Sequence, residues 1–180
     1  MENKILVAYA STYGSTQEVA EVVATTLREH GLTVDLQPIR NVRTLDGYSA
    51  VVLGAPLYMF HWHKDALRFL SQHQRVLTNG LPIAIFAGGP FGSGDGKEWQ
   101  EVRGQLDREL AKFPWLSPIA IEVIGGRFDP TKLRLPYSLI PALRQMPASD
   151  LRDWTAIRTW ASNLIEKLQP AVPQYEKESR

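Results

Sequence analysis

Strand-like and helix-like hydrophobic patterns alternate along this chain. Ile5, Leu6, Val7 and Ala8 form a short apolar run between polar residues, the pattern of a strand buried on both faces. Residues 17–28 follow with Val19, Val22, Val23 and Leu27 at helical spacing, and His30-Gly31 is a stop signal. Residues 33–38, 50–53, 82–87 and 118–124 read as four further strands. Residues 64–76, 98–113 and 150–168 read as helices; in the last, Trp154, Ile157, Trp160, Ala161, Leu164, Ile165 and Leu168 recur at three- and four-residue steps. Five strands alternating with helices predict an α/β fold: a doubly wound parallel sheet with helices on both faces. Ligands of such sheets bind beyond the carboxyl ends of the strands. The loops to inspect are therefore 10–16, 55–63, 88–96 and 125–129. No repeat or linker divides the chain, so one domain is expected over 1–169, with a polar tail over 170–180.

Composition narrows the function. A chain of 180 residues with 44% apolar and 22% charged positions suits one globular domain. Lys and Arg number 20 against 19 Asp and Glu, a net charge of +1, which gives no case for nucleic acid as a partner. The absence of cysteine excludes disulfides, thiolate nucleophiles and cysteine-ligated clusters. No leader pattern is visible and no apolar run approaches ~18 residues. The expected location is the cytoplasm, with peripheral contact to a membrane left open.

The four loops carry the candidate chemistry. In the first, Ser11, Thr12, Tyr13, Gly14, Ser15 and Thr16 stand between a strand and a helix. Hydroxyls, loop amides and free helix N–H groups at such a junction attract a phosphate. The loop lacks G-x-x-x-x-G-K-[ST] and G-x-G-x-x-G, and no Lys or Arg is near it in sequence, so a single phosphate monoester held by uncharged donors is expected. A β–α turn with a Ser or Thr cap is the plainer alternative. The second loop follows Pro56 and Leu57 with Tyr58, Phe60 and Trp62, rings that would stack on a flat heteroaromatic ligand or pack on the neighbouring helix. Tyr58 and Trp62 are expected to flank such a ligand. The third has Gly88, Gly89, Gly92, Gly94 and Gly96 with Asp95; its amides could approach a ligand's polar edge, and Asp95 could cap the next helix. The fourth adds Arg127. His61 and His63 lack partners at ligand spacing, so no metal is expected, and Ser11 lacks the G-x-S-x-G context of a nucleophile. No residue is assigned a catalytic role.

These residues resemble a known family. Ser11-Thr12-Tyr13-Gly14-Ser15-Thr16 is similar to the loop on which flavodoxins seat the FMN phosphate, and Gly92-Ser93-Gly94-Asp95 to the loop beside their isoalloxazine. A closer resemblance is to flavodoxin-domain proteins grouped with menaquinone-dependent protoporphyrinogen oxidase. It is carried by Gly54-Ala55-Pro56-Leu57-Tyr58, Trp62-His63-Lys64, Arg68-Phe69-Leu70, Gly126-Arg127-Phe128-Asp129-Pro130 and the run from Asp150 to Arg158. The resemblance implies a five-stranded sheet of order 2-1-3-4-5 and FMN as cofactor.

Within that implication, an FMN-dependent oxidoreductase competes with an electron carrier. Carriers of this kind are strongly acidic, and this chain is not. The oxidoreductase would use a small hydrophobic substrate or a quinone, with residues 131–149 as part of the entrance. There Leu133, Leu135, Tyr137, Leu139, Ile140, Leu143 and Met146 are interleaved with Lys132, Arg134 and Arg144, cations that could pair with substrate carboxylates. A structural cover over the sheet is the alternative, and three prolines argue against one continuous membrane-surface helix. The carrier would need a redox protein partner. A flavin-free interaction module is the third reading.

Overall fold

In the computed structural model, which describes residues 4–168, the strands are β1 (Lys4–Tyr9), β2 (Thr33–Pro38), β3 (Tyr48–Tyr58), β4 (His61–Trp62), β5 (Ile83–Gly88), β6 (Ala120–Ile124), β7 (Arg127–Phe128) and β8 (Ser149–Asp150). The helices are α1 (Ser15–Glu29), α2 (Lys64–Gln72), α3 (Gln74–Thr78), α4 (Gly96–Leu110), α5 (Pro141–Gln145) and α6 (Trp154–Leu168). Five strands pair in parallel in the order β2-β1-β3-β5-β6. Counted alone, they follow the expected 2-1-3-4-5. The short strands lie outside this pattern: β4 folds back antiparallel on β3, and β7 pairs with β8 as a separate ribbon. The expected tail lies outside the described residues.

Strand alternation sorts the core into two layers. Leu6, Val51, Leu53, Ile83 and Ile85 face Ala66, Phe69 and Leu70 of α2 and Val102 and Leu106 of α4. The intervening residues Ile5, Val7, Ala50, Val52, Ala84 and Phe86 face Val19, Val23 and Leu27 of α1 and Ile157, Trp160 and Leu164 of α6. The two layers meet a tight constraint at Gly54. A Cβ there would lie 1.9 Å from Cζ of Phe86 on the adjacent strand, and Phe86 is held edge-on against Trp160 at 5.9 Å.

Several boundaries differ from the expected ones. The strand expected over 50–53 continues through Gly54-Ala55-Pro56 to Tyr58. Pro56 is tolerated because β1 pairs only as far as Gly54, so no β1 acceptor stands opposite its missing N–H. The helix expected over 64–76 breaks at His73, whose buried ring lies against Phe69. The helix expected over 150–168 starts at Trp154, because the Asp153 carboxylate accepts from the Ala156 N–H at 2.9 Å and starts the helix there.

Replacing Gly54 by Ala drives a methyl group into the Phe86 ring. The expected loss is about 1–3 kcal/mol from overpacking. It would be read as a lower urea midpoint at unchanged m-value, partly restored by a second change, Phe86→Leu.

Candidate functional site

The β1–α1 junction sits at the carboxyl end of the sheet. Gly14 is the residue before the helix, at φ +89°, a conformation that L side chains rarely adopt. Its N–H donates to Ser11 Oγ at 2.9 Å and fixes the loop's curvature. The amides of Ser15, Thr16 and Gln17 open α1 and have no carbonyl partner within it. Ser15 and Thr16 are buried, Ser11 and Tyr13 half-buried, and Thr12 exposed. This loop forms one wall of a cleft of about 620 Å³, and Arg40, Lys132 and Arg134 line its other walls. The expectation of uncharged donors without a nearby cation is corrected here. The cations arrive from the end of β2 and from the stretch after β7, far away in sequence.

His63 stands on the same cleft. Its Nδ1 accepts from the Asp65 N–H at 3.2 Å, capping α2, so Nε2 carries the proton and points at Thr12 Oγ1, 3.5 Å away. Burial lowers its pKa, the Asp65 carboxylate opposing, and keeps the ring neutral at pH 7. His61 projects the other way and pairs with the buried Glu109 of α4 at 3.2 Å, fastening the β3–β4 hairpin to that helix. Among the described residues no cluster of three His, Asp or Glu is placed to hold a metal.

The aromatic loop is arranged differently from the expectation. Tyr58 is half-buried, meets Tyr13 edge-on at 6.2 Å and stacks on Phe91 at 5.4 Å and 22°. Burial, reinforced by Tyr13, pushes the Tyr58 phenol well above its ordinary value and keeps it protonated. Trp62 is not beside it. The Trp62 indole is 1% exposed, lies in the core against the α2 and α4 side of the sheet, and donates its N–H to the Ala55 carbonyl at 3.0 Å. A two-residue turn at Met59 and Phe60, both at positive φ, reverses the chain and turns Trp62 inward. Leu57 points into the same core and Pro56 is buried in β3. Phe91, which sequence reasoning did not single out, is the ring that faces Tyr58.

The glycine loop also departs from expectation. The Gly92 and Gly94 amides donate to the two Glu98 carboxylate oxygens at 2.9 and 2.6 Å, so they are not free for a ligand's edge. Gly89 donates to the Ile124 carbonyl, and Gly88 is buried at the end of β5 beside Pro56 and Thr16. Asp95 caps α4, accepting from the Glu98 N–H at 2.8 Å. Arg127 of the fourth loop pairs with Glu18 at 3.6 Å.

Arg152 lies in the run that carries the family resemblance, but sequence reasoning assigns it no role. Its side chain is 3% exposed. It donates to both Asp150 oxygens at 2.8 and 2.7 Å, to Glu18 at 2.6 Å and to the Ser15 carbonyl at 3.3 Å. It thereby anchors the first turn of α1, where the hydroxyl loop ends. The D-L-R-D run at 150–153 is the only sequence trace of it.

A hydroxyl-and-amide loop at the switch point of a doubly wound sheet, beside stacked aromatics, defines a flavodoxin-type site. The model of the flavodoxin domain family matches residues 6–138, and the chain belongs to that family. Protoporphyrinogen IX dehydrogenase [quinone] of Escherichia coli K12 is 28% identical over 125 residues, covering 68% of each chain. Probable flavodoxin 1 of Bacillus subtilis 168 is 28% identical over 95 residues, 49% of this chain and 58% of that protein. Among solved structures, oxidised flavodoxin 1 of Bacillus cereus matches at a TM-score of 0.58 and 17% identity, over 92% of this chain and 99% of that one. FMN is the family's cofactor, and the donor set fits it. The first loop with its cations suits a phosphate monoester, and Tyr58, stacked on Phe91, meets Tyr13 of that loop edge-on.

Two outcomes follow from this geometry. FMN should bind more tightly than riboflavin, with its advantage shrinking as salt rises; Arg40→Ala, Lys132→Ala and Arg134→Ala should each weaken FMN about two- to fivefold and leave riboflavin unchanged. Fluorescence titration at several ionic strengths checks this. The second concerns Asp150, which the Arg152 guanidinium holds below its ordinary value. Its stabilisation is complete above the unfolded carboxylate range of ~3.9 and is lost as pH falls through the lowered folded value. Both carboxylates regain water if Arg152 is removed, so Arg152→Leu should cost about 1–3 kcal/mol at pH 7. In urea titrations that deficit should shrink in acid.

Proposed function

We propose that this protein is an FMN-dependent oxidoreductase that exchanges two electrons with a small hydrophobic partner, a quinone being the favoured class. The observation that carries this reading is the wall of the cleft. Lys132 and Arg134 face the hydroxyl loop, and the chain leaving them exposes Leu135, Tyr137, Leu139 and Ile140. An apolar acceptor meets apolar surface there, and substrate carboxylates meet cations. Similarity to a quinone-linked protoporphyrinogen dehydrogenase over 68% of both chains supports the same reading.

FMN, when bound, supplies the redox chemistry, and a quinone that gains two electrons and two protons leaves as the hydroquinone. The chain's own contribution is placement. The Ser11–Thr16 loop and the three cations would hold the phosphate, and Tyr58, edge-on to Tyr13 and backed by Phe91, would offer an aromatic face to the ring. The protonated Tyr58 phenol adds no negative charge beside it. The net charge of +1 lacks the strong overall acidity by which a carrier is steered to its partners.

Stopped-flow reoxidation of the reduced protein by water-soluble menadione tests the proposal. Saturable reoxidation is expected, slowed when residues 135–148 are replaced by a short Gly/Ser loop that keeps Lys132 and Arg134 and leaves FMN bound. Absence of menadione turnover, together with fast single-electron transfer to a redox protein, would establish the carrier instead.

A further inference from the structure

The stretch between β7 and β8 is built unlike the rest of the molecule. Its ends are clamped where Arg127 pairs with Asp150 and Phe128 with Ser149. Inside, local bonds close one turn after another: Ser138 N–H to the Arg134 carbonyl at 3.0 Å, Ile140 N–H to Tyr137 at 3.1 Å, Arg144 N–H to Ile140 at 3.3 Å. Yet no residue from 131 to 148 is buried. Leu135 is 73% exposed and Leu139 72%, and Tyr137, Ile140 and Met146 are exposed beside them. An ordered excursion that buries none of its large apolar side chains marks an interaction surface.

Charge indicates what covers it. The same stretch contains Lys132, Arg134 and Arg144 and no Asp or Glu, within a chain whose overall balance is only +1. Cations and apolar side chains therefore alternate along one short excursion. An acidic groove on a protein would need each cation matched singly. A plane of negative headgroups over a shallow apolar layer matches both features at once.

We propose that residues 131–148 form a docking surface for an anionic lipid bilayer. Leu135, Tyr137, Leu139, Ile140 and Met146 enter the interfacial layer, Arg144 meets the headgroups, and Lys132 and Arg134, at the mouth of the cleft, add to the positive field that draws the surface in. Neither signal suffices alone; apolar insertion and cationic attraction together make a reversible anchor. Pro136, Pro141 and Pro147 rule out one continuous amphipathic helix, but a chain of short turns presents the side chains outward without one. Among the described residues no helix is long and apolar enough to cross a membrane. Because Lys132 and Arg134 also line the cleft beside the hydroxyl loop, docking brings the mouth of the site to the lipid surface. The inference stands without the redox reading, since it rests on no bound cofactor.

The test uses the full chain in flotation with two vesicle types, phosphatidylcholine alone and phosphatidylcholine with one-third phosphatidylglycerol. Flotation with the anionic vesicles only is expected, weakened by added salt. The double variant Leu135→Ser/Leu139→Ser should lose affinity on the order of tenfold, and so should Arg144→Glu, each at an unchanged melting temperature. Because the chain has no cysteine, Leu139→Cys accepts one environment-sensitive dye. Its emission should shift blue with anionic vesicles, whereas dye at Glu29→Cys, at the far end of α1, should not respond. No flotation with anionic vesicles, equal flotation with neutral ones, or full binding by the double leucine variant would each overturn the proposal. So would a silent dye at position 139, which would leave a protein partner as the occupant.

Discussion

The frame of the site depends on one buried guanidinium. In a parallel sheet the loops at the carboxyl ends have no ladder to hold them, so other contacts must fix their mutual positions. Arg152 supplies the central one. It joins the Ser15 carbonyl and Glu18 at the start of α1 to Asp150 of the β7–β8 ribbon. The neighbouring backbone extends the tie: Ser149 Oγ donates to the Phe91 carbonyl at 2.7 Å, reaching the glycine loop. A Cβ on Gly125 would lie 1.7 Å from the Leu151 carbonyl oxygen, so the close approach of the two segments requires glycine there. Three loops from separate parts of the chain are thus set by residues 149–152.

The first and third loops use the same device with opposite outcomes. Both are backbone turns whose amides converge on a point where an anion is favourable. In the third, the chain provides its own anion: Glu98 takes the amides of Gly92 and Gly94 and the Ser93 hydroxyl. In the first, the amides that open α1 receive no carboxylate. Glu18, the acid of that first helical turn, is drawn to Arg152 and Arg127 instead. The hydroxyl loop is therefore left free for an external phosphate, and Arg40, Lys132 and Arg134 line the same cleft against a single acid, Asp65.

The sheet was legible because strand alternation and helical spacing each depend on neighbours only a few residues apart. The two core layers follow directly from them. The hydroxyl loop was legible for the same reason, since Ser11 to Thr16 lie in one contiguous run. What escaped lies in contacts between distant positions. Arg152 meets Ser15, and Arg40 comes to line the same cleft as the loop, only after the chain has wound. Trp62 was placed on the ligand side because an aromatic run after a proline does not reveal where the chain turns. Met59 and Phe60 adopt positive φ without the Asn or Gly that signals such a turn, and that reversal puts Trp62 in the core. Nothing in the sequence of the glycine loop singles out Phe91. Its role depends on Gly126, where a Cβ would lie 2.2 Å from its ring.

The Arg152 knot also explains how so apolar an excursion can be carried at little cost. Residues 131–148 leave from β7 and return at β8, and none of them is buried in the core of the frame. Loop closure grows only slowly with length, so the excursion adds little entropy cost once the ribbon is formed. Because Leu135 and Leu139 are exposed, their replacement leaves the two core layers intact. The hydroxyl loop answers to the fold through Gly14 and Arg152, whereas the excursion answers to what lies outside the molecule. Lys132 and Arg134 stand at the seam between them, so whatever draws the excursion outward also acts on the charge that faces the phosphate loop.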